Sequence, residues 1–145
     1  MGTSYTEFKS FGFWSDDVLL SAIYFLLHKE FNSLEAKNYF IRSIIEKFLY
    51  ASTFKGVGCV PNYIDEFNTE EKTDLLRKAL QSIIIGISED NLISAQEFNE
   101  HKVASITDWT TIPRIELVRT AKLLLKLVNG ELKTDAASEI DYLSD

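Results

Sequence analysis

Apolar residues recur along this chain at helical rather than alternating spacing. The densest run, VLLSAIYFLLHKEF from Val18 to Phe31, is apolar on nearly every side. A helix without a polar face has to be packed from several directions, so this segment reads as a central helix. Ser15 precedes it as an N-cap, with Asp16 and Asp17 in the first turn, where the helix dipole favours anions. A second helix is expected from after Ser33 to near Phe54. There Phe40, Ile41, Ile44, Ile45, Phe48 and Leu49 form an apolar stripe, with Glu35, Asn38, Arg42 and Glu46 opposite.

The segment KGVGCVPNYIDEF interrupts the periodicity with Gly56, Gly58 and Pro61, and reads as a surface loop. Asn68 and Glu71 have capping-box spacing ahead of Leu75, Leu76, Ala79, Leu80, Ile83, Ile84 and Ile87, a third helical stripe that ends near Gly86. Between Glu89 and Trp109 the pattern weakens. Ser94 and Glu97 there could cap a short helix through SAQEFNEHKV, and Thr107 to Thr111 reads as a connection. Thr111 as N-cap and Pro113 in the first turn open a last helix with Leu117, Val118, Ala121, Leu124, Leu125 and Val128 inward, closed by Asn129-Gly130. Strand alternation is scarce; Val57 to Ile64 could pair locally but cannot build a sheet. The expectation is an all-α, single-domain bundle of about five helices over residues 1–145. An irregular aromatic segment opens it and an acidic tail, 131–145, short helix or mobile, closes it.

Composition supports a packed domain. With 46% hydrophobic and 26% charged residues in 145, the chain is ordinary for a globular fold and long enough to need no disulfide or metal staple. The single cysteine, Cys59, permits no internal disulfide, and no signal peptide or bilayer-length apolar run is visible, which together predict a cytosolic protein. The opening Met-Gly-Thr-Ser-Tyr-Thr is too common a pattern to be read as an acylation signal. Fifteen basic against 22 acidic residues give a net charge of -7, which disfavours nucleic acid and favours a basic protein as partner.

Candidate chemistry is sparse. The two histidines, His28 and His101, and the lone thiol match no metal-ligand spacing, and no cofactor is expected. His28 reads as a dipole partner at the end of the first helix. Glu97 and His101 are one turn apart with Glu100 adjoining, so they form either a salt-linked solvated face or, less simply, an acid–base pair. Gly56-Val57-Gly58 lacks the strand and third glycine of a nucleotide loop, and Cys59 beside it reads as a small hydrophobe.

Charge grouping says more. Asp65, Glu66, Glu70, Glu71 and Asp74 face Lys72 alone within one short stretch, and Glu89, Asp90, Glu97 and Glu100 follow with no base between Gly86 and Glu100. The last helix is the reverse, with Arg114, Arg119, Lys122 and Lys126 against Glu116. The nine acids are the candidate partner-binding residues; solvated loop charge and dipole complementarity are the plain alternative. Tyr5, Phe8, Phe11, Phe13 and Trp14 crowd the start of the chain and are expected to close one end of the core; exposed, the same rings would form a binding hot spot.

From Tyr5 through FGFWSDDVLLSAIYFLL the chain resembles small bacterial immunity proteins that guard cells against polymorphic toxins, including those of contact-dependent growth inhibition. The resemblance covers about the first thirty residues. It implies a non-enzymatic cytosolic inhibitor of a cognate toxin domain, and many such toxins are nucleases with basic, phosphate-holding surfaces. Two other readings remain open: a helical regulatory or oligomerisation module, dimeric through an apolar face, and a small enzyme using Glu97, Glu100 and His101.

Overall fold

The first helix organises the molecule. In the computed structural model, which describes residues 3–53, 60–88, 95–100, 103 and 114–132, α1 spans Asp17–Asn32 and every residue from Leu19 to Leu27 is buried. Helix α2 (Tyr39–Ser52) packs along it most extensively, and α3 (Glu70–Ser88) and α5 (Arg114–Val128) pack on it and on each other. A short α4 (Ala95–Glu100) brings Phe98 edge-on to Phe25, with ring centroids 5.3 Å apart. These helices match the stripes in the sequence. Among the described residues no helix is long and apolar enough to cross a membrane.

The chain is mostly helical but not all-α. The aromatic segment at its start is a regular antiparallel hairpin of β1 (Thr3–Phe8) and β2 (Phe11–Asp16), in register from Thr3↔Asp16 to Phe8↔Phe11. Its turn, Lys9-Ser10, holds both residues at positive φ (50° and 74°), the geometry that the twist of a two-residue hairpin requires. The hairpin's inner face carries Ser4, Thr6, Phe8, Phe13 and Ser15, all buried, while Tyr5 and Trp14 pair on the outer face at 5.3 Å. The tyrosine ring lies across Gly12. A Cβ there would stand 2.2 Å from the Thr6 carbonyl oxygen and 2.7 Å from the ring, so only glycine fits.

Three caps differ from expectation by a residue or more. Ser15 belongs to β2, so the α1 N-cap is Asp16, whose carboxylate accepts the Val18 N–H at 2.8 Å. Ser33 ends α1 instead of opening α2, its hydroxyl donating to Glu30 O at 2.7 Å; the α2 cap is Asn38, accepting from Ile41 N at 2.8 Å. Glu35 thus lies outside the helix. At α3 the side chain that accepts a first-turn N–H is Thr69, from Lys72 at 3.2 Å, not Asn68. The end of α5 follows the sequence: Gly130 has φ 75°, and Gly130 N and Glu131 N bond back to Leu127 O and Lys126 O, a Schellman close. Phe54, Gly56 to Cys59, Ser94, His101, Thr107 to Thr111, Pro113 and the tail beyond Leu132 lie outside the described residues.

The core is knit by rings. Phe31 of α1, Phe48 of α2 and Phe67 are mutually in contact at 5.7 to 5.9 Å, Tyr24 meets Phe48 in a tilted contact at 5.4 Å, and Phe40 meets Phe67 edge-on at 5.2 Å. Phe67 follows a single 3-10 turn, Ile64–Glu66, so this cluster draws the segment 60–67 onto α1 and α2. Tyr24 adds a polar tie: its buried hydroxyl accepts the Tyr63 N–H at 3.3 Å. Ser4 adds another, accepting the Val60 N–H at 2.8 Å while donating to Asp17 at the head of α1. His28 is not an end-of-helix dipole partner. Its Nδ1 lies 2.9 Å from the Ile45 carbonyl of α2, which can only accept, so Nδ1 carries the proton and bolts the two helices together.

Two predictions follow from this packing. Gly12→Ala displaces the Tyr5 ring and strains the strand, and should cost about 1–3 kcal/mol in urea unfolding with the secondary structure retained. Burial holds the Tyr24 phenol well above its ordinary pKa of 10 and raises Tyr63 in the same direction. A raised pKa contributes stability that is complete below the unfolded value and is lost as pH climbs past it. The urea midpoint should therefore decline above pH 10, and Tyr24→Phe should flatten that decline while lowering stability at neutral pH by about 1–3 kcal/mol, because Tyr63 N loses its acceptor.

Candidate partner-binding surface

Of the nine acids nominated from charge grouping, three are engaged in ion pairs. Glu66, on the 3-10 turn, is paired with Lys47 of α2 at 2.7 Å, and Glu97 of α4 with Lys29 of α1 at 2.7 Å. Asp74 pairs with Arg77 one turn on, and Arg77 also reaches the Asn129 side chain at the end of α5. Glu66 and Glu97 each join neighbouring elements, while the Asp74 pair lies within α3. Glu100 is held by Gln96 at 3.0 Å within α4. Glu89 and Asp90 lie outside the described residues.

What remains is a tighter group at the entry to α3. Asp65, Glu70 and Glu71 are exposed and form no ion pair among the described residues. Asp65 accepts only a long bond, 3.3 Å, from the Lys9 N–H at the hairpin turn. Glu70 and Glu71 occupy the first turn of α3, where the helix dipole stabilises them without any cation. The ring cluster fixes this group in place, since Phe67 anchors the chain between the two acidic pairs 65–66 and 70–71.

Helix α2 carries a further surface that periodicity alone did not single out. Tyr39, Leu49 and Tyr50 of α2 are 81%, 36% and 57% exposed. At 100° per residue they share an arc about 100° wide with Arg42 and Glu46, directly opposite the buried Ile41, Ile44 and Phe48. Leu49, counted with the inward stripe by spacing, sits at its outer margin. The legible signal was a second recurrence at three and four residues, 39-42-46-49/50, made of residue types favoured at protein interfaces. Elsewhere Lys72 stands 4.3 Å above the Phe40 ring and Lys47 5.9 Å above Tyr63, so these two ring faces receive the molecule's own cations.

The carboxylate enzyme reading needs Glu97, Glu100 and His101 to converge. Glu97 lines a shallow cleft of about 320 Å³ with Phe25, His28, Lys29, Asn32 and Ser33. Its carboxylate is engaged by Lys29, His28 is engaged by Ile45 O, and Glu100 is not among the walls. His101 lies outside the described residues. The described side chains of this cleft serve to hold α1, α2 and α4 together.

The pairing of acids with inter-element lysines is measurable. With both side chains about one-third exposed, the Lys29–Glu97 pair should show a coupling of about 0.2–1 kcal/mol in a Lys29→Met, Glu97→Gln double-mutant cycle, diminishing in salt. No coupling would mean that this pair does not hold α4 to α1. No family model, no curated protein and no solved structure matches this chain.

Proposed function

We propose that this chain is a cytosolic immunity-type inhibitor that binds the basic surface of a cognate toxin domain, with Asp65, Glu70 and Glu71 at the centre of the docking ground. The observation that carries this reading is the contrast among the acids. Glu66, Asp74 and Glu97 are engaged in ion pairs, whereas Asp65 on the 3-10 turn and Glu70 and Glu71 in the first turn of α3 are exposed and form no ion pair among the described residues. A fixed group of negative charges attracts a cationic face over distances near the Debye length, roughly 8–10 Å at moderate salt, and speeds encounter. Against a nuclease, such carboxylates occupy positions that phosphates would take. Glu89 and Asp90 extend the same proposal along the chain, and Glu97 and Glu100 belong to its margin.

The test uses the C-terminal domain of the protein encoded immediately upstream as the probe. Co-expression should protect cells from that domain, and the purified pair should associate rapidly at low salt and more slowly as salt rises. Asp65→Asn, Glu70→Gln and Glu71→Gln together should slow association roughly 10-fold at low ionic strength and flatten its salt dependence, with a modestly lowered unfolding midpoint from the lost helix-dipole contacts and the fold retained by circular dichroism. Absence of protection and of a complex overturns the reading; a complex indifferent to the triple variant moves it off this turn.

A further inference from the structure

The outward face of α2 is self-complementary, and we propose that it pairs with the same face of a second copy of this chain in an antiparallel, two-fold helix contact. The face runs Tyr39, Arg42, Glu46, Leu49 and Tyr50. A two-fold axis crossing the helix near the level of Ile44 and Ile45 exchanges its ends. Arg42 of one copy then meets Glu46 of the other, twice over, and Tyr39 of each copy lies against Leu49 and Tyr50 of the other. A two-fold contact demands this pattern, in which each residue finds its complement on an identical surface.

Three observations support a second copy as the occupant. First, Arg42 and Glu46 are one turn apart yet form no ion pair with each other. Arg42 donates to the Lys37 carbonyl at 2.7 Å, and the Glu46 carboxylate is exposed. The arrangement leaves each charge available to its opposite across an axis. Second, of the five large hydrophobic residues exposed among those described, Tyr39, Leu49 and Tyr50 fall on this one face; Ile85 and Ile115 belong to α3 and α5. Third, the charge of the face is balanced, one cation and one anion at its centre, so a strongly basic partner gains nothing there that the acids at the α3 entry do not offer better. An identical face gains both ion pairs.

The area sets the strength. Fourteen residues make a helix about 21 Å long. One such strip buries less than the roughly 800 Å² per partner of a standard interface, so the dimer is weak, with a Kd on the order of 10–100 µM. This contact is independent of the toxin-binding proposal, and neither depends on the other's outcome.

Sedimentation equilibrium on the full chain, from about 10 µM to about 1 mM, brackets that range. The weight-average mass should rise from that of the monomer toward twice it. Arg42→Glu places like charges across the axis and should weaken association at least about 10-fold, as should Glu46→Arg. The double charge swap, Arg42→Glu with Glu46→Arg, should recover most of the loss, and Tyr50→Ala should weaken the dimer without changing the charge balance. The three substituted positions are exposed, and circular dichroism of each variant establishes that it is folded. A wild-type chain that stays monomeric throughout overturns the proposal. So does a dimer insensitive to the single variants, or a double swap that regains nothing.

Discussion

The contact of Phe67 with Phe31 and Phe48 is the constraint on which the arrangement depends. Helix α1 is apolar all round and must be covered on every side, and α2, α3 and α5 cover most of it. The remaining cover comes from the hairpin, from Phe98 of α4 and from a stretch without regular helix, residues 60–67, which the ring cluster pulls inward. Burial of a phenylalanine stabilises by about 1.5–3 kcal/mol, enough to fix a short irregular segment that has little hydrogen bonding of its own. Because the segment is pinned at Phe67, the carboxylates on either side are presented from a rigid base. The same pin seats the N-terminal end of α2 through Phe40.

The helices were legible because their inward positions are leucine, isoleucine and phenylalanine at spacings of three and four. The hairpin was not, and its residues explain why. Its buried face is half hydroxyl, with Ser4, Thr6 and Ser15 turned inward, while Tyr5 and Trp14 stand on the outer side. Hydrophobic alternation is thereby reversed at several positions, so a pattern search sees an irregular aromatic stretch. The turn adds no marker either, since Lys9-Ser10 takes a conformation for which glycine or asparagine is the usual sign. The shift of the α1 cap from Ser15 to Asp16 follows from the same cause: a strand that continues to Asp16 leaves that residue at the boundary.

Acid grouping located the candidate surface only coarsely. Sequence distance placed Glu66 and Asp74 with Glu70 and Glu71, but the fold separates them by what lies opposite. Lys47 and Arg77 come from positions 19 residues before Glu66 and three after Asp74, and no local rule announces the first of these. The outer face of α2 shows the opposite limit. Only Arg42 and Glu46 of its residues were read as the polar side, Leu49 was counted inward, and the exposure of Tyr39 and Tyr50 is what sets this face apart.

The Ser4 hydroxyl joins groups far apart in the chain, taking the Val60 N–H across 56 positions while giving its own hydrogen to Asp17. Bringing such distant segments together carries a loop-closure entropy that local helical contacts avoid. The antiparallel packing of α1 on α2 can therefore form early, with the hairpin and residues 60–67 docking as a late, joint event. Protection of the Val60 amide from solvent deuterium would report when the hairpin has arrived, making one backbone hydrogen a clock for the final step of folding.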